Sequence, residues 1–273
     1  IGVRLVGSEM CIRDSYSSIF SPLLGSKVYE WPGKLLDAIG IIGTVFGLAV
    51  SVGLGVLQIS AGLNILWDVP LVTWVELAVI IFITVCASVS VATGLDKGVK
   101  LLSNLNIIGS IVLLVFLFVV GPTLKIIEHL TESFGIYAAS LPEMMFWVDS
   151  YDDNPGWHAT WTAFYWAWTI CWSPYVGMFF ARISRGRTVR QFIAGTILLP
   201  AVFDIIWFAT FGRTAIDVET NDPGVLTGPV VEDGETPQAL FTLLAQYPLY
   251  FVSGAVALAA VSYTHLRAHE TDS

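Results

Sequence analysis

The stretch at residues 157–190, WHATWTAFYWAWTICWSPYVGMFFARISRGRTVR, decides how the rest of the chain is read. From Trp157 to Ala181 it holds no Asp, Glu, Lys or Arg, and it then runs into Arg182, Arg185, Arg187 and Arg190. An uncharged run of that length crosses a ~30 Å hydrocarbon layer as a helix, and a cluster of arginines marks the cytoplasmic end. Tyr165, Trp168, Trp172 and Tyr175 recur at i, i+3, i+7 and i+10, which gathers four rings along one helical stripe. Trp gains little in mid-bilayer because it prefers the interface, so the stripe is expected to face protein or a cavity. Two readings stay open. The rings pack between helices, with Trp157 and Trp161 anchored at the interface, or they line a cavity whose π faces suit a quaternary ammonium group.

Composition sets the class. Of 273 residues, 55% are hydrophobic and only 13% charged, and the mean hydropathy is +0.72. A soluble domain carries about a quarter charged residues, so an integral membrane protein is expected. The net charge of −9 is concentrated in loops and says nothing about partners. The single basic patch is short and membrane-adjacent, which excludes nucleic-acid binding. Cys86 and Cys171 fall within apolar spans and read as small fillers, and with Cys11 they imply no disulfide framework. His129 and His158 have no ligand-spaced partners and read as solvated loop histidines. No metal pair, Ser/His couple or paired carboxylate lies within the spans, so an enzyme is not expected, and neither is a bound metal or cofactor. The two ends, IGVRLVGSEMCIRDS (1–15) and SYTHLRAHETDS (262–273), resemble translated adapter sequence. They are set aside, leaving a partial membrane domain at 16–261.

Six apolar spans emerge near 35–60, 72–93, 101–123, 157–181, 189–212 and 249–261, the last cut off within the span. Lys27 and Lys34 precede the first, Lys97 and Lys100 join the second to the third, and the arginines join the fourth to the fifth. The alternate loops are acidic, around Asp68, at 128–153 and at 217–235. That alternation places both ends of the fragment inside. Between the third and fourth spans, Leu124, Ile127, Leu130, Phe134 and Tyr137 share one side of a helix, with Glu128, His129 and Glu132 on the other. An amphipathic helix at 124–147 lying in the outer interface is expected. Residues 213–236 read as an extracellular loop.

The string FYWAW..CWSPYVGMFFARISRGRTVRQF resembles the signature of the betaine/choline/carnitine transporter family, and GTVFGLAVSVGLGVLQISAGLN extends the likeness upstream. The resemblance implies an all-α membrane protein. Its fold would be a partial inverted-repeat helical bundle of the sodium-symporter kind, with about six transmembrane helices and one amphipathic surface helix. It implies a secondary transporter in the plasma (inner) membrane, multi-pass and often a homotrimer, that moves a quaternary ammonium or sulfonium osmolyte by alternating access. Na⁺ or H⁺ would be the coupling ion. A sensor or interaction subunit that keeps the scaffold without flux is the alternative. The family's glycine-rich unwound helix would lie before Tyr16 and further cation ligands after Val261, so these residues alone are expected not to transport.

By the same resemblance Trp166, Trp168 and Trp172 match tryptophans of the family pattern, the later ones bordering the substrate pathway, while Thr169 stands where many members have a second tryptophan that walls the substrate box. Tyr175 takes the aromatic position beside a sodium site, for which the family has two threonines four residues apart. Thr44 fits the first and Leu48 replaces the second, and an isobutyl group cannot coordinate Na⁺. The glycines of the first span, among them Gly40, Gly43 and Gly47, read as close-packing positions. Pro174 removes a backbone donor and is expected to break the fourth span, leaving the Ile170 carbonyl without its partner. Asp204 lies deep in the fifth span, where a carboxylate is costly unless paired, protonated or wet. It is a coupling candidate alongside Thr44 and Tyr175. Positive-inside topology accounts for the arginine loop, which also suits anionic lipid or an acidic tail.

Overall fold

The computed structural model describes residues 15–93, 98–151, 153–154, 156–184, 186–250, 254–257 and 259, with side chains at 89–93, 98–103, 182 and 183 excepted. Regular structure among them is helical: α1 (Ser21–Leu24), α2 (Trp31–Trp67), α3 (Thr73–Thr93), α4 (Gly98–Val120), α5 (Thr123–Phe146), α6 (Ala163–Ile183), α7 (Val189–Ile193), α8 (Leu199–Asn221) and α9 (Ala239–Ala245). A π-helical turn, Ala194–Leu198, joins α7 to α8. The resulting Val189–Asn221 segment of 33 residues and the 37-residue α2 are long and apolar enough to cross a membrane. A third crossing is available if α4 and α5, bent by 110° at their junction, form one broken span. At 1.5 Å per residue α2 is about 55 Å long, well beyond a ~30 Å hydrocarbon layer. α6, with 21 residues, owes its apolar character to rings rather than aliphatic chains. The foreign-looking segments 1–14 and 262–273, Lys97, Arg185 and residues 251–253, 258, 260 and 261 of the sixth span lie outside the described residues.

The helices group into two units, one of residues up to Val50 with Pro142–Val202, the other of Ser51–Leu141 with Phe203 onward. In the first, the start of α2 packs against α6, and Ser17 N–H donates to Asp37 Oδ1 at 2.8 Å, tying the entry segment to α2. In the second, Leu113 and Leu117 of α4 pack with Phe241, Leu243 and Leu244 of α9. Val56 and Ile59 of α2 pack with Ile83 and Ala87 of α3, and Cys86 sits at the edge of that cluster as a filler. Beyond these cores large apolar side chains lie exposed along α2, α3, α4 and α8, for example Trp74 at 80% and Phe208 at 72%. Apolar surface on that scale belongs against lipid or further protein.

The turn between α4 and α5 is set by Gly121 and Pro122. Gly121 N–H still donates to Leu117 O at 2.8 Å, Pro122 offers no donor, and Thr123 Oγ1 donates to Phe118 O at 2.7 Å. α5 docks through fully buried Ile126 and leaves Leu124, Ile127, Phe134 and Tyr137 exposed, the apolar side the sequence assigns to an interface.

One boundary differs from expectation. Residues 213–221 are helical, not loop, because α8 continues to Asn221. Arg213 Nη2 lies 3.9 Å from Asp217 Oδ1 one turn on, Asn221 Nδ2 donates to Asp217 O at 2.8 Å, and Lys125 of α5 pairs with Asp217. These contacts extend the helix past the end of its apolar run. The loop that follows is gathered by Glu219, whose carboxylate accepts from Gly224 N–H (2.6 Å), Leu226 N–H (2.9 Å) and Thr227 Oγ1 (2.6 Å).

Candidate functional site

The aromatic residues at 157–175 form a ladder along one helix. A π-helical turn, His158–Thr162, leads into α6. Trp157 and Trp161 lie 5.9 Å apart between ring centroids, Trp161 stacks on Tyr165 at 6.3 Å, and Tyr165 meets Trp168 at 6.1 Å. Trp172 then meets Tyr175 edge-on at 5.8 Å. Trp157, Trp161, Thr162, Tyr165 and Trp166 line an open cavity of about 360 Å³. Trp166 is 66% and Tyr165 50% exposed, while Trp168, Trp172 and Tyr175 are half-buried.

The lower part of the ladder is held by α2. A Cβ placed on Gly47 would stand 2.6 Å from Trp172 Cδ1 and 3.2 Å from Cys171 Cβ. One on Gly43 would stand 3.8 Å from the Cys171 backbone, and one on Gly40 would reach the Tyr16 ring at 3.0 Å. Gly40 and Gly47 therefore serve close approach, as the spacing suggests, and only hydrogen fits at Gly47, whereas Gly53 of the same row has no atom within 4 Å of the equivalent point. Trp172 and Cys171 pack against α2 on this side, as the packing reading expects, while Tyr165 of the stripe and the neighbouring Trp166 are exposed.

Pro174 does not break α6. The helix runs on through it, and Ser173 Oγ donates to Ile170 O at 2.8 Å. The carbonyl that proline would orphan is thus satisfied by the preceding side chain, a local remedy common for Ser and Thr in helices. His158 also departs from expectation. It is half-buried rather than solvated, its ring lies 4.8 Å from that of Trp147, and its Nδ1 is 3.0 Å from Thr162 Oγ1. Trp147, itself still exposed, meets the Trp157 ring at 6.3 Å across a loop and so covers one side of His158. His129, on α5, bonds Ser133 Oγ at 3.2 Å. Among the described residues no group of His, Cys, Asp or Glu could hold a metal ion.

The remaining predicted positions are distributed as follows. Thr169 is exposed, and its Oγ1 donates to Tyr165 O at 2.7 Å. Thr44 is half-buried and donates to Gly40 O at 2.8 Å, which leaves its oxygen lone pairs for a cation. Leu48, one turn on, has none to offer. Asp204 is exposed on α8, in the unit other than the one that holds α6. Arg187 and Arg190 are exposed, the side chain of Arg182 and all of Arg185 fall outside the described residues, and a Thr188–Gln191 capping box begins α7. Sequence reasoning missed Ser173 and Trp147. The Ser-Pro pair three residues after Ile170 was the available signal for the first; nothing local signals the second.

An apolar helical protein of this kind, with long helices whose apolar side chains lie exposed, is a membrane protein. Residues 11–268 match the model of the betaine/carnitine/choline family transporters, and the chain belongs to that family. It is 59% identical over 245 residues to the ectoine/glycine betaine/proline transporter EctP of Corynebacterium glutamicum, an alignment that covers 90% of this chain and 40% of that protein. It is 41% identical over 247 residues to the glycine betaine transporter OpuD of Bacillus subtilis, covering 90% of this chain and 47% of the relative. It is 34% identical over 247 residues to the osmo-dependent choline transporter BetT2 of Acinetobacter baylyi, covering 90% and 36%. The chain thus spans less than half the length of these relatives.

Proposed function

We propose that this chain is part of a secondary transporter that carries small osmolytes with a cationic or quaternary nitrogen across the plasma membrane by alternating access. The observation that carries the reading is the ladder on α6, anchored by Trp172 against the α2 glycines and open at Tyr165 and Trp166. Such rings attract a desolvated cation by about 2 kcal/mol or more. The names of the Corynebacterium and Bacillus relatives, which pair glycine betaine with ectoine and proline or give it alone, point to the same substrate class. Trp166, Trp168, Thr169, Trp172 and Tyr175 are the proposed substrate contacts.

Coupling to Na⁺ is proposed, with Thr44 and Tyr175 at one ion position. Because Leu48 supplies no oxygen there, Asp204 is the proposed alternative, acting as a proton or cation carrier. Six spans, an inverted-repeat bundle, an interfacial α5 and a homotrimer complete the proposal. They rest on family membership and on the alternation of basic and acidic junctions.

The test is uptake of labelled glycine betaine, choline and dimethylsulfoniopropionate by a full-length transporter carrying these residues, in cells without other osmolyte carriers. Sodium-dependent uptake of any of the three is expected. Uptake indifferent to sodium but abolished by Asp204→Asn would move coupling to the carboxylate. Binding without flux would replace the transporter by a sensor.

A further inference from the structure

We propose that Thr169 and Ser173 bias the α6 site toward cations that carry N–H bonds, such as a protonated secondary amine or an amidinium, over quaternary ammonium groups. The inference rests on the transport function proposed above and refines its substrate class. Thr169 Oγ1 donates to Tyr165 O and Ser173 Oγ to Ile170 O, at 2.7 and 2.8 Å. A hydroxyl has one proton, so each is left with lone pairs alone for any ligand. Both side chains are exposed and stand one turn apart, on the order of 6 Å between Cβ atoms. Trp166, Thr169 and Ser173 follow i, i+3 and i+7 along one strip, with Tyr165 a turn before Thr169. The exposed indole of Trp166 and phenol of Tyr165 therefore stand one turn before the Thr169 hydroxyl, with the Ser173 hydroxyl a further turn along the helix, and both hydroxyls can only accept.

The two kinds of group divide the work of recognition. An aromatic face draws any cation, methylated or not, so it does not discriminate between them. An acceptor-only hydroxyl does. An N–H cation gives it a charge-assisted hydrogen bond, whereas a trimethylammonium group presents methyls and displaces water from the oxygens without replacing its bonds. α3 provides an internal contrast. Thr84 and Ser88 donate to Ile80 O and Thr84 O at 2.8 and 2.7 Å and are equally exposed, but their neighbours are Ile80, Ile81 and Val85. Hydroxyls bonded back to their own helix are ordinary. Their placement beside exposed aromatic rings is what singles out α6.

The test measures KM for labelled proline, a secondary ammonium compound, and for glycine betaine, a quaternary one, in the full-length transporter at fixed sodium. Thr169→Val with Ser173→Ala is expected to raise the ratio of proline KM to betaine KM about tenfold or more, the worth of a hydrogen bond to a charged group. Thr169→Ser should keep the wild-type ratio. Surface labelling checks delivery to the membrane, and Thr169→Val alone is read in the same way if the double variant is not delivered. An unchanged ratio overturns the proposal. So does weaker sodium activation with both substrates alike, which would give the hydroxyls to the ion, and so does a wild type that takes up betaine but not proline. A wild type that takes up neither overturns the transport reading itself.

Discussion

At Gly47 the chain has room for a hydrogen and nothing larger, because Trp172 Cδ1 would lie 2.6 Å from a Cβ there. Gly53, on the same helix, has no atom within 4 Å of the equivalent point. Helix propensity favours Ala over Gly by about 1 kcal/mol at either position, so only packing separates them. Gly47→Ala is expected to lower stability by about 1–3 kcal/mol and Gly53→Ala to leave it level or raised, as read by thermal unfolding in detergent. Ser173 and Pro174 form a second local pair. Ser173→Ala should cost about 1 kcal/mol by orphaning the Ile170 carbonyl. In a Pro174→Ala background, residue 174 regains its N–H and the same substitution should cost almost nothing, so a double-mutant cycle reads the coupling directly. The proline was legible in the sequence and so was its missing donor. That the neighbouring serine would supply the bond depended on a rotamer, which no spacing rule fixes.

Among the helices, the joint between α4, α5 and α8 shows which contacts matter. Lys125 pairs with Asp217 but is half exposed, and such pairs contribute less than about 1 kcal/mol. Gly121 is different. A Cβ there would lie 2.6 Å from Leu117 O and 3.2 Å from Oγ1 of Thr214, which is fully buried. Gly121→Ala is therefore expected to cost about 1–3 kcal/mol and Lys125→Ala under about 1 kcal/mol, a ranking that melting temperatures of the two variants would check. Reversal would mean that the ion pair, not the close approach, sets the bend. The apolar stripe of α5 was readable from its 3.6-residue period. The length of α8 was not, since the turns after Gly212 are polar and are held helical by partners on α5 and on α8 itself.

For the whole molecule, Val189–Asn221 should be a crossing with the arginine loop inside and residues 222–238 outside. Single cysteines at Arg187 and Asp233, in a background with Cys11, Cys86 and Cys171 replaced by Ala, should react with an impermeant maleimide from opposite faces of the membrane. Labelling from the same face would show that this segment does not cross. Sequence by itself determined the membrane class, the helical content, the family and the aromatic ladder, because hydropathy, ring spacing and the ARISRGRT run are properties of neighbours along the chain. Tertiary structure alone decided which rings are spoken for. Trp172 is covered because the Gly47 backbone can come within contact of it, whereas Tyr165 and Trp166 stay exposed. Those outcomes depend on distances between segments far apart in sequence, which periodicity along one helix cannot encode.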